Sequence, residues 1–176
     1  MAVLEALLFS APGPLRPEQL AALLGVGEAE AAAAVELLRG RYAALDAGLA
    51  VLDVAGGWQL ATKPALADWV FRLHGHRKKS PVTPALLESL AIIAYKQPIG
   101  RAEVEAIRGV DCGGAVRSLL DAGLIESVGR KETPGRPSLY GTTELFLRTF
   151  GLTSLAELPM PGDGPPTLPR PAEGGA

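Results

Sequence analysis

Three features of the sequence could in principle carry chemistry: a single cysteine, a pair of histidines and a glycine-rich stretch. Cys112 would need a neighbouring base to act as a nucleophile, but both histidines, His74 and His76, lie well before it in the chain. The His-x-His pair has no third or fourth metal ligand nearby in the sequence. Residues 109–114 match neither a phosphate-binding loop nor a dinucleotide fingerprint. The residues therefore predict no catalytic site, no metal site and no cofactor.

Two clusters of basic residues could contact an acidic partner or the phosphates of DNA. One cluster lies between two apolar segments, and the other surrounds a turn rich in proline and glycine. The clusters are Arg77, Lys78 and Lys79, and Arg130, Lys131 and Arg136. The pattern favours a solvated linker and a charged turn. The alternative is a weak, salt-sensitive contact with DNA through the linker cations and Lys131.

The net charge of −2 is an average over unlike segments. Residues 1–73 carry five Lys/Arg against eight Asp/Glu, residues 74–80 add three cations, and residues 81–151 balance at eight against eight. With 48% apolar and 20% charged residues, the composition is typical of globular domains. We expect a cytoplasmic protein, because no apolar run is long enough to span a bilayer and no signal peptide is indicated.

The two larger blocks repeat one sequence pattern. Leu4-Glu-Ala-Leu-Leu8 matches Leu87-Glu-Ser-Leu-Ala91, and Pro14-Leu15 matches Pro98-Ile99. The offset between the blocks changes by only one residue from the first match to the second. The pattern therefore predicts two copies of one small fold.

Each copy is predicted to contain three helices followed by a two-stranded hairpin. In the second copy, Thr83 and Pro84 are typical of a helix start, and the pair Gln97-Pro98 ends that helix. In the first copy, Gly56-Gly57 is the expected hairpin turn. Lys63-Pro64 is expected to lead into a further helix that carries Leu66, Trp69, Val70 and Leu73.

Three helices followed by a hairpin define the winged-helix variant of helix-turn-helix. The predicted fold class is mainly α with small β-hairpins (α+β), arranged as two tandem winged-helix domains. Residues 1–73 and 83–158 are the predicted domains, with a basic linker at 74–82. Residues 159–176 are predicted to be a disordered tail, because ten of these eighteen residues are Pro or Gly.

The third helix of each copy is poorly suited to reading DNA. In the first copy it starts with Glu28 and Glu30, which would repel phosphates. In the second copy Gly113 and Gly114 offer no base-reading side chain, and Arg117 is the only cation of that helix. Proteins are therefore the expected partners.

Long motifs in the second block resemble segregation and condensation protein B. They are Leu86–Ile99, Arg101–Asp111, Val128–Lys131, Pro134–Pro137 and Leu139–Thr143. Leu4–Phe9 and Ala55–Trp58 are similar to the opening domain of the same family. The similarity covers residues 1–159.

The resemblance implies a non-enzymatic subunit of the bacterial SMC condensin-like complex. Such proteins form homodimers through the first domain and bind the kleisin subunit, segregation and condensation protein A (ScpA). The SMC partner, reached through the kleisin, supplies the ATPase, and chromosomal DNA is contacted indirectly or weakly. The implied location is the nucleoid in the cytoplasm. The alternatives are a winged-helix transcription regulator that binds operator DNA, and a scaffold for an unrelated partner.

The resemblance also suggests where the partners bind. The kleisin is expected at Ile92, Tyr95, Gln97, Pro98, Ile99, Arg130 and Arg136. For two of these residues a structural role is an equal alternative: Ile92 as part of the core and Pro98 as a helix breaker. For self-association, the strand edge and the alanine-rich helix of the first domain both remain candidates.

Overall fold

The computed structural model describes residues 1–44, 46–74 and 83–159, with the side chain of His74 left out. The described residues form two compact units, one comprising residues 1–74 with 151–159 and the other residues 83–150. Both units combine helices with a small antiparallel sheet, which confirms the predicted fold class. The predicted tail after Pro159 and the linker residues His76, Arg77, Lys78 and Lys79 lie outside the described residues.

The first unit contains three helices, a hairpin and a fourth helix. In chain order these are α1 (Ala2–Ser10), α2 (Pro17–Leu24), α3 (Glu28–Ala44), β1 (Leu49–Val54), β2 (Gly57–Thr62), a 3-10 turn (Pro64–Leu66) and α4 (Ala67–His74). Helix α2 begins with Pro17, where a missing N–H does no harm, and ends at Gly25 in the left-handed conformation.

The core of the first unit lies between the first three helices and the hairpin. Its fully buried members are Leu4, Leu8, Leu20, Ala21, Ala31, Val35, Leu38, Val51 and Trp58. Within α3, Ala31, Val35 and Leu38 repeat at three- and four-residue spacing, so one face of that helix is buried. Outside this core, Arg39 forms a 2.6 Å ion pair with Asp53 and so joins α3 to β1.

The hairpin turn lies one residue earlier than the predicted Gly56-Gly57. Val54 pairs with Gly57, so the turn residues are Ala55 and Gly56, with φ of 51° and 70°. Gly57 is instead the first residue of β2, where the backbone of Leu15 approaches closely. A Cβ at position 57 would lie 2.7 Å from the Leu15 carbonyl oxygen. Gly57 is therefore required because the Leu15 backbone lies so close to it. The sequence-based prediction placed Gly57 in the turn because a turn position and a close backbone contact both favour glycine.

The second unit has the same three-helix plan and a three-stranded sheet. In chain order it contains α5 (Pro84–Lys96), β3 (Ile99–Gly100), α6 (Arg101–Arg108), α7 (Gly113–Asp121), β4 (Ile125–Arg130), β5 (Ser138–Thr142) and α8 (Glu144–Phe150). Strand β5 lies between β3 and β4, and both pairings are antiparallel. Thr83 caps α5 by accepting the Leu86 N–H at 3.2 Å, as predicted, with Pro84 as the first helical residue.

Residues 151–159 are grouped with the first unit, whereas the sequence-based boundary placed residues through 158 in the second domain. The N–H of Ala55 donates to the carbonyl of Leu152 at 2.8 Å. This segment contains a short 3-10 turn over Leu155–Glu157.

Replacing Gly57 by alanine should destabilise the first unit. The new methyl group meets backbone at Leu15, which cannot move aside as a flexible side chain would, so we expect a loss of about 1–3 kcal/mol in the free energy of unfolding. Because both tryptophans, Trp58 and Trp69, lie in this unit, their fluorescence follows its unfolding in urea.

Gly40→Ala is the matched control. Gly40 lies inside α3 with nothing within 4 Å of its added Cβ, so this change should raise stability by about 0.5–1 kcal/mol. Equal unfolding midpoints for the Gly57→Ala variant and the unmodified protein would contradict the close-approach explanation.

Candidate partner-binding surfaces

The third helix of each unit presents few cations to solvent. In α3, Glu28 and Glu30 are exposed in the first turn, where a recognition helix would meet the major groove. In α7, the exposed cation is Arg117, and the helix opens with Gly113 and Gly114. Neither helix presents the cluster of cations that phosphate binding requires.

The wing of the second unit, which is the hairpin of β4 and β5 over residues 125–142, is held to α6 by an ion pair. Lys131 Nζ lies 2.8 Å from Glu103 Oε1, and the other carboxylate oxygen of Glu103 accepts the Gly100 N–H at 3.0 Å. The hydrogen bond from Lys131, followed by that from Gly100, lowers the pKa of Glu103 below its usual range. Lys131, a candidate for DNA contact, therefore has a carboxylate partner within its own unit.

Arg130 and Arg136 are the exposed cations of this wing, and neither forms an ion pair with any residue in the described ranges. Arg136 has a φ of 40°, which is uncommon for a residue with a long side chain. Its N–H donates to the Thr133 carbonyl at 2.8 Å, and Gly135 before it also has a positive φ of 83°. A tight turn thus displays the Arg136 guanidinium at the end of the wing.

The candidate residues near the end of α5 differ in exposure. Tyr95 is 41% exposed and Pro98 is exposed, so both can meet a partner. Ile92 is half-buried, and it shares the face of α5 with Tyr95 because three residues separate them. Ile99 is only 5% exposed and pairs with Tyr140 in the sheet, so its side chain belongs to the core.

Gln97 fixes the chain between Tyr95 and Pro98 against strand β5. Its Oε1 accepts the Thr142 N–H at 2.7 Å, and its Nε2 donates to the Ala94 carbonyl at 3.1 Å and to Thr142 Oγ1 at 3.0 Å. A Cβ at Gly141 would lie 2.9 Å from Gln97 Oε1, so glycine leaves room for this amide. Gln97 therefore positions the neighbouring residues from within its own unit.

The sheet brings the end of α5 and the wing onto one framework. Gly100 of β3 and Gly129 of β4 both pair with Leu139, on opposite sides of β5. Two strand spacings separate them, which is about 10 Å. Arg130 directly follows Gly129, and Pro98 lies two residues before Gly100, so the register places the two groups of candidate residues within reach of one bound segment.

A third surface, on α4, was not predicted from the sequence. Trp69 and Leu73 belong to the predicted helix, and they are 67% and 81% exposed, while Phe71 is 58% exposed. The guanidinium of Arg72 lies over the Trp69 ring at 4.9 Å from its centroid. The sequence does carry a signal for this exposure. Large apolar residues of α4 occur on all sides of the helix, and packing against one core can bury only part of its circumference.

Of the histidine pair and the cysteine considered for chemistry, the structure describes the side chain of Cys112. Cys112 is buried, and this burial, followed by the charge of Glu105, raises the pKa of its thiol. Among the described residues, no group of three or more histidine, cysteine, aspartate and glutamate side chains could hold a metal ion. None of the described helices is long and apolar enough to cross a membrane.

A family profile and individual related proteins all relate this chain to one family. The profile of the family described as segregation and condensation complex subunit ScpB matches residues 2–161. Segregation and condensation protein B of Syntrophotalea carbinolica is 49% identical over 158 residues, which cover 90% of this chain and 80% of that protein. The protein of the same name from Symbiobacterium thermophilum is 49% identical over 157 residues, covering 89% and 71%.

Among solved structures, a dimer of the ScpB N-terminal domain complexed with ScpA peptide is similar at 37% identity. The match covers 41% of this chain and 90% of that one, with a TM-score of 0.39. The family profile spans both winged-helix units, and the two relatives share nearly half of their aligned residues with this chain. The chain therefore belongs to the ScpB family of segregation and condensation complex subunits.

Proposed function

We propose that this chain acts as a non-enzymatic subunit of a bacterial SMC condensin-like complex, forming a homodimer through its first unit and binding the kleisin ScpA through its second. The single observation that carries the proposal is the placement of exposed apolar and aromatic side chains. Among the described residues, exposed aromatic side chains lie on α4 (Trp69 and Phe71) and at the end of α5 (Tyr95). None lies on the third helices that a DNA reader would use, where the exposed large apolar residues are Leu37 and Leu120. Family membership supports the same assignment.

The α4 surface is suited to self-association. Trp69 and Leu73, four residues apart, are exposed on one face of α4, and Phe71 is exposed on another side of the helix. An exposed apolar face of this kind commonly marks a protein–protein contact. Asp68 and Arg72 are exposed beside it and supply the polar rim common at interfaces. In a two-fold dimer the same patch is used by both copies, so one short helix can supply both sides of the contact.

The second unit offers a different surface, which combines the aromatic residue Tyr95 with the exposed cations Arg130 and Arg136. Tyr95 has an apolar ring and a polar hydroxyl, and Arg136 can pair with a carboxylate through two parallel hydrogen bonds. A kleisin segment that carries apolar side chains and at least one carboxylate would complement both. Tyrosine and arginine are also among the residues that contribute most to binding energy at interfaces.

Through the kleisin, the proposed subunit reaches the SMC ATPase and the chromosomal DNA of the nucleoid. Direct DNA contact has little support in the described structure, because Lys131 is paired with Glu103 and the third helices carry few cations. A role as an operator-binding regulator is correspondingly less favoured.

The α4 surface can be tested in the full-length protein. Trp69→Glu combined with Leu73→Glu places charges on the face of α4 that these two residues share, so we expect a dimer to become a monomer by light scattering at micromolar concentration. The other two candidate surfaces for self-association are the strand edge and the alanine-rich helix α3 of the first unit. An exposed residue on each gives a matched control: Leu52→Glu on β1 and Leu37→Glu on α3. Both controls should remain dimeric. If a control variant is monomeric while the α4 variant is still dimeric, the dimer interface lies on the surface of that control and not on α4.

The kleisin surface can be tested by removing its two principal side chains. Tyr95→Ala with Arg136→Ala should weaken the binding of ScpA at least about tenfold, because an aromatic anchor and a charge partner are both lost. Affinity is measured by titration of ScpA, and circular dichroism checks the fold.

Leu87→Ala with Arg117→Ala is the control, since both residues are exposed on the same unit but outside the proposed surface. It should bind ScpA like the unmodified protein. Unchanged affinity in the Tyr95/Arg136 variant would refute the placement of this surface.

A further inference from the structure

The chain changes direction immediately after α8. Gly151, with a φ of 67°, follows the last helical residue, Phe150. This left-handed conformation suits glycine and commonly ends helices. The carbonyl of the next residue, Leu152, accepts a 2.8 Å hydrogen bond from the N–H of Ala55 in the first unit's hairpin turn.

The hairpin turn is unusual in being buried. Val54 and Ala55 are each 6% exposed, although turn residues normally face solvent. In the described part of the first unit, neither residue is a member of the core between α1, α2, α3 and the hairpin. The turn also holds Ala55 at a φ of 51°, which is uncommon for a residue other than glycine. The bond to Leu152 satisfies the backbone N–H that this buried conformation presents.

The segment that provides this bond is held in shape by hydrogen bonds within itself. The Thr153 N–H donates to Glu157 Oε2 at 2.6 Å, and the Leu158 N–H donates to the Leu155 carbonyl at 3.2 Å. The hydrogen bonds from Thr153, and to a smaller extent that from Ser154, lower the pKa of Glu157, while the charge of Asp53 opposes this. A segment that is already folded loses less conformational entropy when it docks.

We propose that residues 152–158 are a latch that closes on the turn at residues 54–57 of the first unit. When it is closed, the Leu152 carbonyl accepts the N–H of Ala55, and when it opens, this N–H loses its partner. The latch is a conformational device within the chain, and it does not depend on whether the chain binds a kleisin.

Amide hydrogen exchange at Ala55, measured by NMR, tests the latch. A chain that ends at Gly151 should exchange this proton at least about tenfold faster than the full chain, because the accepting carbonyl is gone. A chain that ends at Pro159 keeps the latch and should match the full chain. The amide of Val35, in the core helix α3, serves as an internal reference for folding and should be unchanged in both.

A point substitution covers the case in which the shorter chain fails to fold. Glu157→Ala in the full chain removes the acceptor of the Thr153 N–H and should speed exchange at Ala55 while leaving Val35 unchanged. Glu132→Ala, at an exposed wing position of the second unit, is the control and should alter neither amide. Exchange at Ala55 that is unchanged by Glu157→Ala, or that rises only in step with Val35, would overturn the proposal.

Discussion

Each unit of this protein is too small to bury all of its apolar side chains. A winged-helix domain of about 70 residues buries only about 60% of the surface that its unfolded chain exposes. In the first unit, three helices and a hairpin enclose the core, and α4 is left with Trp69, Phe71 and Leu73 in solvent. A chain with this constraint is stabilised by any partner that covers the remainder. The dimer and the kleisin complex that we propose would both cover apolar surface that the small units leave exposed.

Polar side chains hold the second unit's candidate surface in place. Gln97 joins the end of α5 to Thr142, and Glu103 joins β3 to Lys131 of the wing. Because these side chains are occupied within the unit, they restrict the positions of Tyr95, Pro98 and the wing without themselves facing a partner. Less conformational entropy is then lost when a partner binds. This division separates the residues that build the surface from those that meet the partner.

Local patterns predicted the helices well, because capping and proline act over a few residues. The Thr83–Pro84 start of α5 and the repeat of three helices and a hairpin follow from such signals. What the sequence could not predict depends on contacts between distant segments. Gly57 is a glycine because of the Leu15 backbone, and Trp69 is exposed because the core is already closed by other elements. Ile99 was assigned to a surface, yet pairing with Tyr140 places it in the core. Patterns of apolar residues predict which residues avoid water more reliably than they predict which neighbour covers them.

The duplication explains why two units of one fold can have different partners. Their cores use the same three-helix pattern, so packing constrains them in the same way. Their hairpins share one support, because Leu15 pairs with Trp58 in the first unit as β3 pairs with β5 in the second. Other supports differ: Leu152 in the first unit, and the Glu103–Lys131 ion pair in the second. Because these supports lie at the edges of the fold, they can change without disturbing the core. The exposed surfaces beside them, α4 in one unit and the wing in the other, can then differ in chemistry while the fold is retained. A repeated fold thereby provides one apolar and one cationic surface in a single chain.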